Sequence, residues 1–328
     1  MTLKDKYISY IRNIRRYSVR TVDLYDDVLR NFLLHAHGGE DVSDSELLIS
    51  LNHSEIRSYE AARLEEGLSA RTVCLHLSAL SSFCRYLVKE GHLKSNPVKL
   101  VAKPRQSKRL PEFYRKEAMN EYFERTSYVL DPGELDFFIR NHDTRSGKEM
   151  YEDRLRRLII SMLYSLGLRR AELIGLCIGD VDFGRNIVKV LGKGNKMREI
   201  PLIPSLCDEI LLYLKAVETM CGGERSLKEP LLVTYRVERL YPAYVDRAVK
   251  KGLKDFEGMT GRKSPHVLRH SLATGLMNED VNINSIKELL GHSSLAATQV
   301  YTHGTIAKLK SNYEQAHPRA KNGGKHGD

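Results

Sequence analysis

The chain has 328 residues, 41% of them hydrophobic and 29% charged, which is enough apolar material for one large or two medium domains. Lysine and arginine number 52 against 42 aspartates and glutamates, so the net charge of +10 suits a polyanionic partner such as nucleic acid. Five cysteines, Cys74, Cys84, Cys177, Cys207 and Cys221, form no C-x-x-C pair and are odd in number, so reduced thiols are expected rather than a disulfide framework or a zinc site. No apolar signal segment follows Met1 and no run approaches the ~18 apolar residues of a membrane span, so the expectation is a cytoplasmic protein with no membrane segment.

Residues 1–102 read as all helix. Leu3–Ile14 has apolar residues at helical spacing. Ser18 reads as an N-cap before Val19–Ala36, with Val22, Tyr25, Val28, Leu29, Phe32 and Leu33 at three- and four-residue steps, and Gly38-Gly39 ends that helix. Asn52–Glu66 is the next helix, closed by Gly67. Ser69 caps a long one whose stripe is Val73, Leu77, Leu80, Phe83, Leu87 and Val88, stopped by Gly91 and Asn96-Pro97. Scattered basic residues, among them Arg12, Arg15, Arg16, Arg20, Arg71, Arg85 and Lys89, either grip a phosphate backbone or form a solvated surface.

Two prolines bracket Arg105, Lys108 and Arg109 in the stretch 103–112, which predicts an extended inter-domain linker. A domain over 113–320 and a disordered tail over 321–328 follow. Lys116–Thr126 reads as a short helix, 131–150 as a surface loop around a short ordered piece, and Arg154–Leu166 as an apolar-rich helix ending at Gly167. The turn at Gly167 then opens a helix with Arg169 at its N-terminus, beside N–H groups that favour anions, and with Glu172 three residues on to orient a guanidinium. Asp180–Asp182 reads as a turn. Ile187–Leu191 and Arg198–Leu202 read as a hairpin around Gly192-Lys193-Gly194-Asn195. Lys193 there is either a reaching lysine or an ordinary turn lysine. Leu206–Met220 is helical, Leu231–Val233 a candidate strand, and Tyr244–Leu253 a helix carrying Arg247, Lys250 and Lys251, with Lys254 beyond it. The fold class expected is mainly α with a small β-sheet.

The chemistry-bearing stretch lies near the C-terminus. His266 and Arg269, three apart in a helix opened by Ser264-Pro265, share a face. His292 and Tyr301 are nine apart, which in one helix would put them on opposite sides, so a break is needed. Gly291 supplies a helix stop and Ser293 or Ser294 a new N-cap. Tyr301 is then either a movable nucleophile or one more half-buried tyrosine among 17. Taken together, Arg169, Lys193, His266, Arg269, His292 and Tyr301 provide charge stabilisation, a proton donor and a nucleophile for phosphoryl transfer. No carboxylate cluster suits two-metal catalysis.

Five motifs in order carry a resemblance to a known family: Gly-Leu-Arg-x-x-Glu-Leu at 167–173, Gly-Lys-Gly-Asn-Lys at 192–196, Pro-His-x-Leu-Arg-His at 265–270, Leu-Gly-His at 290–292 and Tyr-Thr-His at 301–303. With them, the chain resembles the tyrosine recombinase (phage integrase) family over nearly its whole length, most closely the Xer-type members, and 317–320 resembles their C-terminal ending. The resemblance implies a SAM-like helical core-binding domain over 1–102 and an α+β catalytic domain over 113–320. It implies Tyr301 as the nucleophile of a 3′-phosphotyrosyl link, Arg169 and Arg269 on the scissile phosphate, and Lys193 as donor to the 5′ oxygen. His266 and His292 would support the transition state, with Glu172 behind them. It further implies duplex DNA as partner, a homo- or hetero-tetramer that can include a second Xer-type recombinase, a Holliday junction, and no metal, ATP or other cofactor. The segment at about 305–317 would dock on a neighbouring protomer.

Two departures stand out. Gly275 replaces a histidine frequent in the family, outside the six catalytic positions, and 131–150 is longer than in compact Xer-type chains. Chromosome or plasmid dimer resolution is the expected role. Mobile-element integration, a type IB topoisomerase-like relaxing activity, and a non-catalytic DNA-binding regulator are the alternatives.

Overall fold

The computed structural model describes residues 1–105, 112–192, 195–279 and 281–291, and the chain divides into two compact units, 1–109 and 110–328. In the first unit, α1 (Leu3–Ser9) runs into one π-helical turn, Tyr10–Ile14, and is followed by α2 (Val19–His37), α3 (Asp44–Ser50), α4 (His53–Glu65) and α5 (Ala70–Lys89). Each of these helices begins where a short polar side chain accepts an otherwise orphaned N–H: Thr2, Ser18, Ser43, Asn52 and Ser69. Ser43 and Glu46 form a reciprocal capping box, and that polar pair starts α3, which the apolar periodicity had not predicted. Tyr7, Phe32, Tyr59, Leu80 and Phe83 are fully enclosed between α1, α2, α4 and α5. Burial of such side chains contributes roughly 1.5–3 kcal/mol each. Arg12, Arg15, Arg16, Arg20, Arg71, Arg85 and Lys89 all lie exposed.

The second unit is built round one helix. Helices α6 (Lys116–Arg125) and α7 (Pro132–Asn141) precede α8 (Arg145–Ser165), which is surrounded by α7, α10 (Pro204–Cys221), α11 (Pro242–Gly252) and α12 (Pro265–Asn278). Nine consecutive residues of α8, Arg157–Ser165, are buried, because neighbours cover every side of it. Two arginines of the helix are buried. Arg154 donates to the Val129 carbonyl, and Arg157 donates to the Phe123 carbonyl at 2.9 Å and lies 3.4 Å from the buried Glu209.

Three expectations are corrected here. The stretch 131–150 is helix rather than loop: Asp131 caps α7 with Pro132 in its first turn, and Thr144 accepts the Gly147 N–H to start α8 nine residues earlier than predicted. The turn at 180–182 is a 3₁₀ turn, Ile178–Asp180, leading into a short strand β1 (Val181–Asp182). Leu231–Val233 forms no strand; it is apolar because it is buried, and only single bridges, Cys177 to Pro230 and Val233 to Arg239, flank it. The sheet is β1-β2-β3, antiparallel, with β2 (Ile187–Leu191) and β3 (Met197–Pro201) in the register Val188 to Ile200 and Val190 to Arg198. Helix α9 (Arg170–Gly175) links α8 to the sheet, and α13 (Ile283–Leu290) follows α12. No helix among the described residues is long and apolar enough to cross a membrane.

Candidate active site

Helix α8 ends at Ser165 with Leu166 as its C-cap, and Gly167 turns the chain with a left-handed φ of +58°. A side chain there would be strained in backbone and would collide with Leu290 and Leu272. Leu168 is buried and anchors the turn, which leaves Arg169 as the N-cap residue of α9. Glu172, one turn on, accepts the Arg169 main-chain N–H at 2.8 Å and its guanidinium at 2.7 Å. Of the N–H groups at this helix start, that of Arg169 itself is taken by the Glu172 carboxylate.

Glu172 also holds a second arginine, Arg198, whose Nη1 and Nη2 donate to the two carboxylate oxygens at 3.0 and 2.8 Å. A third, Arg269 from α12, lies 3.9 Å from the same carboxylate. One carboxylate thus stands among three guanidiniums. Burial raises the pKa of Glu172, but the hydrogen bonds from Arg198 and Arg169 outweigh it and leave the group below the ordinary carboxylate value. Arg269 is pushed down to about 10, first by burial and then by Arg169, with Arg198 adding to it and Glu172 opposing, and so stays cationic at neutral pH.

The opposite wall of the cluster is the end of α13. Gly291 caps that helix in the left-handed conformation, φ +63°. The last carbonyls of a helix have no partner within it. Here three in succession are taken by three different arginines. Leu289 O accepts Arg198 Nε at 3.0 Å, Leu290 O accepts Arg269 Nη2, and Gly291 O accepts Arg169 Nη2 at 3.1 Å. Arg269 Nη1 donates to the Gly167 carbonyl. Arg198 and Arg269 are buried, at 7% and 8% side-chain exposure, whereas Arg169 keeps 32%. Arg169 is therefore the one that opens to solvent.

His266 stands one turn before Arg269 on α12 and is exposed. Its pKa is held below the ordinary imidazole value, by desolvation first and then by the positive charges of Arg170, His270, Arg269 and Arg262, so the ring is neutral at pH 7. Arg170 itself is paired with Asp246 of α11. Among the predicted set, Arg169, Glu172, His266 and Arg269 come together. Lys193, His292 and Tyr301 lie outside the described residues, as do the caps at Ser293 and Ser294 and the 305–317 and 321–328 segments. Arg198 was missed. Strand alternation carried the signal: Arg198 is two residues before the buried Ile200 and opposite the buried Val190, so it must point inward.

A second cationic feature lies between the first half of α8 and α11. A groove of about 800 Å³ is lined by Arg145 and Lys148 on one side and by Arg247, Lys250 and Lys251 on the other, with Lys254 just beyond α11. Its carboxylates Glu149, Glu152 and Asp153 are engaged by Arg145 at 3.2 Å, by the Tyr244 hydroxyl at 2.5 Å and by Arg156 at 2.5 Å. Lys250, Lys251 and Lys254 make no ion pair among the described residues.

The sequence profile of the phage integrase family matches residues 129–307, and that of the phage integrase N-terminal SAM-like domain matches residues 5–91. The chain is 32% identical over 324 residues to the tyrosine recombinase XerC of Chlorobaculum parvum, covering 96% of this chain and 94% of that one. Among solved structures it resembles the Tn1549 transposon integrase in complex with transposon right-end DNA, with a TM-score of 0.63 at 18% identity over 98% of both chains. It also resembles a lambda integrase tetramer bound to a Holliday junction, with a TM-score of 0.57 at 19% identity over 89% of this chain and 76% of that one. The fold, the motif-bearing turn at Arg169 and the matched sequence agree: the chain belongs to the phage integrase family of tyrosine recombinases.

Proposed function

We propose that this chain is a site-specific recombinase that cuts and rejoins duplex DNA through a 3′-phosphotyrosyl intermediate and a Holliday junction. The observation that carries the reading is the charge balance of the cluster. Three guanidiniums converge on one carboxylate, a surplus of two positive charges, and the most exposed of the three is Arg169. Such a surplus at a low-dielectric site favours the extra negative charge of a pentavalent phosphate. In this reading Arg169 and Arg269 hold the non-bridging oxygens and Glu172 holds the arginines. The Tyr301 phenolic oxygen attacks phosphorus, and the bond from phosphorus to the 5′ oxygen breaks. Lys193 gives the leaving oxygen its proton, and His266 and His292 support the transfers. One phosphodiester replaces another, so the 5′ hydroxyl of a partner strand reverses the step without ATP or metal.

In this reading a helical core-binding unit (1–102) and a catalytic unit (113–320), joined by 103–112, each contact the duplex. The role taken in this reading is chromosome or plasmid dimer resolution in the cytoplasm, and the XerC relative supports its recombinase part. The lambda integrase assembly supports a tetramer, of one chain or with a second Xer-type recombinase. A nicked suicide duplex carrying the sequence that the protein selects from its native genome tests the chemistry. A denaturant-resistant adduct is expected, and it should vanish in Tyr301→Phe. An adduct that survives the substitution, or none from the unaltered protein, overturns the reading. Exchange between two such sites, and not relaxation of arbitrary plasmids, separates recombination from topoisomerase action.

A further inference from the structure

We infer that Arg198 is a positioning residue for the phosphoryl-transfer step, setting the two phosphate-binding arginines from behind; the inference rests on the reading of the site given above. Three observations carry it. Arg198 grips both oxygens of Glu172, the carboxylate that in turn holds Arg169 through its main chain and its guanidinium. Its Nε donates to Leu289 O, next in line to the carbonyls that take Arg269 and Arg169. It is also closely boxed: a Cβ placed on Gly291 would lie 3.1 Å from its Nη1, and one on Gly192 would lie 3.3 Å from the same atom.

A planar guanidinium with donors on three nitrogens can serve a bidentate carboxylate and a carbonyl together; an ammonium cannot keep that geometry. Nε, Nη1 and Nη2 of Arg198 all donate to Leu289 O or to the Glu172 carboxylate, so all three of its nitrogens are engaged within the protein, behind the arginines assigned to the phosphate. Without it, Glu172 keeps its bonds to Arg169 but loses the pair that fixes its plane. The end of α13, against which Arg169 and Arg269 rest, loses its first tie. Both arginines would then drift relative to the scissile phosphate, and a misplacement of about 1 Å costs on the order of a hundredfold in rate.

The test compares the unaltered protein with Arg198→Met and Arg198→Lys on the nicked suicide duplex. The expected result is a loss of roughly a hundredfold in the rate of adduct formation for Arg198→Met, a partial loss for Arg198→Lys, and duplex affinity unchanged within about threefold. A second substrate carries a neutral methylphosphonate at the scissile position, where less negative charge develops for the arginines to meet. If Arg198 works through Arg169 and Arg269, the defect of Arg198→Met shrinks on that substrate. A structural defect lowers both rates by the same factor, and that equality would overturn the inference, as would unaltered cleavage by Arg198→Met. Failure of the unaltered protein to form an adduct with either duplex would instead remove the recombinase reading itself.

Discussion

The arginine cluster and the groove between α8 and α11 are both cationic, yet they use charge in opposite ways. In the cluster, Arg198 and Arg269 are withdrawn from water and held by a carboxylate and by consecutive helix-end carbonyls. In the groove, Lys250, Lys251 and Lys254 remain in solvent with no carboxylate partner among the described residues. A buried guanidinium is directional, poorly screened and costly to leave without its partner, so each one matters individually. A solvated lysine is one among several, damped by salt, and its position is loosely defined. The first arrangement suits a reaction at one phosphorus atom. The second suits tracking a chain of phosphates without reading its sequence.

The sharpest way to break that contrast is to remove the carboxylate at the centre of the cluster. Glu172→Ala leaves three arginines facing each other and is expected to cost roughly 3–5 kcal/mol in urea denaturation. A cost below about 1 kcal/mol would mean the cluster is held by something other than Glu172. The same residue predicts a pH dependence with a definite sign. Its folded pKa is depressed, so its contribution is present above the unfolded value near 4.5 and is lost as pH falls below that. Stability of the unaltered protein should therefore drop in acid more steeply than that of Glu172→Gln, and parallel curves would refute the assignment.

An intermediate effect is expected at His266, whose pKa is lowered by desolvation first and then by the nearby Arg170, His270, Arg269 and Arg262. Its imidazole resonances should titrate with a midpoint below 6.5 and move back toward it in Arg170→Gln. A midpoint at or above 6.5 would show that the cluster's field does not reach α12's surface. The smallest effect belongs to the groove. Lys250→Glu combined with Lys251→Glu should weaken duplex binding by roughly two- to fivefold per lysine at low salt, and the deficit should fade as salt rises, with the slope of log affinity against log salt made shallower. Binding that is insensitive to both reversals would remove the groove from the DNA-facing surface.

Much of this was legible before any coordinates. Ser18 and Ser69 marked helix starts because capping is a local event that depends on one side chain and the next three residues. The glycines at 167 and 291 marked turns because only they adopt a left-handed backbone at no steric cost. Arg169, Glu172, His266 and Arg269 stood out by motif. What stayed hidden depended on distant partners. The helix α7 and the first turns of α8 looked polar because only one face is buried, around Leu135, Phe138 and Tyr151. Strand alternation gave the inward direction of Arg198, two residues before the buried Ile200, but its partners Glu172 and Leu289 are distant in the chain and no local pattern names them.

The three carbonyls at the end of α13 also set a gauge. Each residue of an α-helix advances about 1.5 Å and turns about 100°. One residue gained or lost between Ile283 and Leu290 would rotate the whole terminus, and Leu289 O, Leu290 O and Gly291 O would all be presented to the wrong sides at once. The arginines thus measure the helix, and its length is part of the site as surely as any side chain in it.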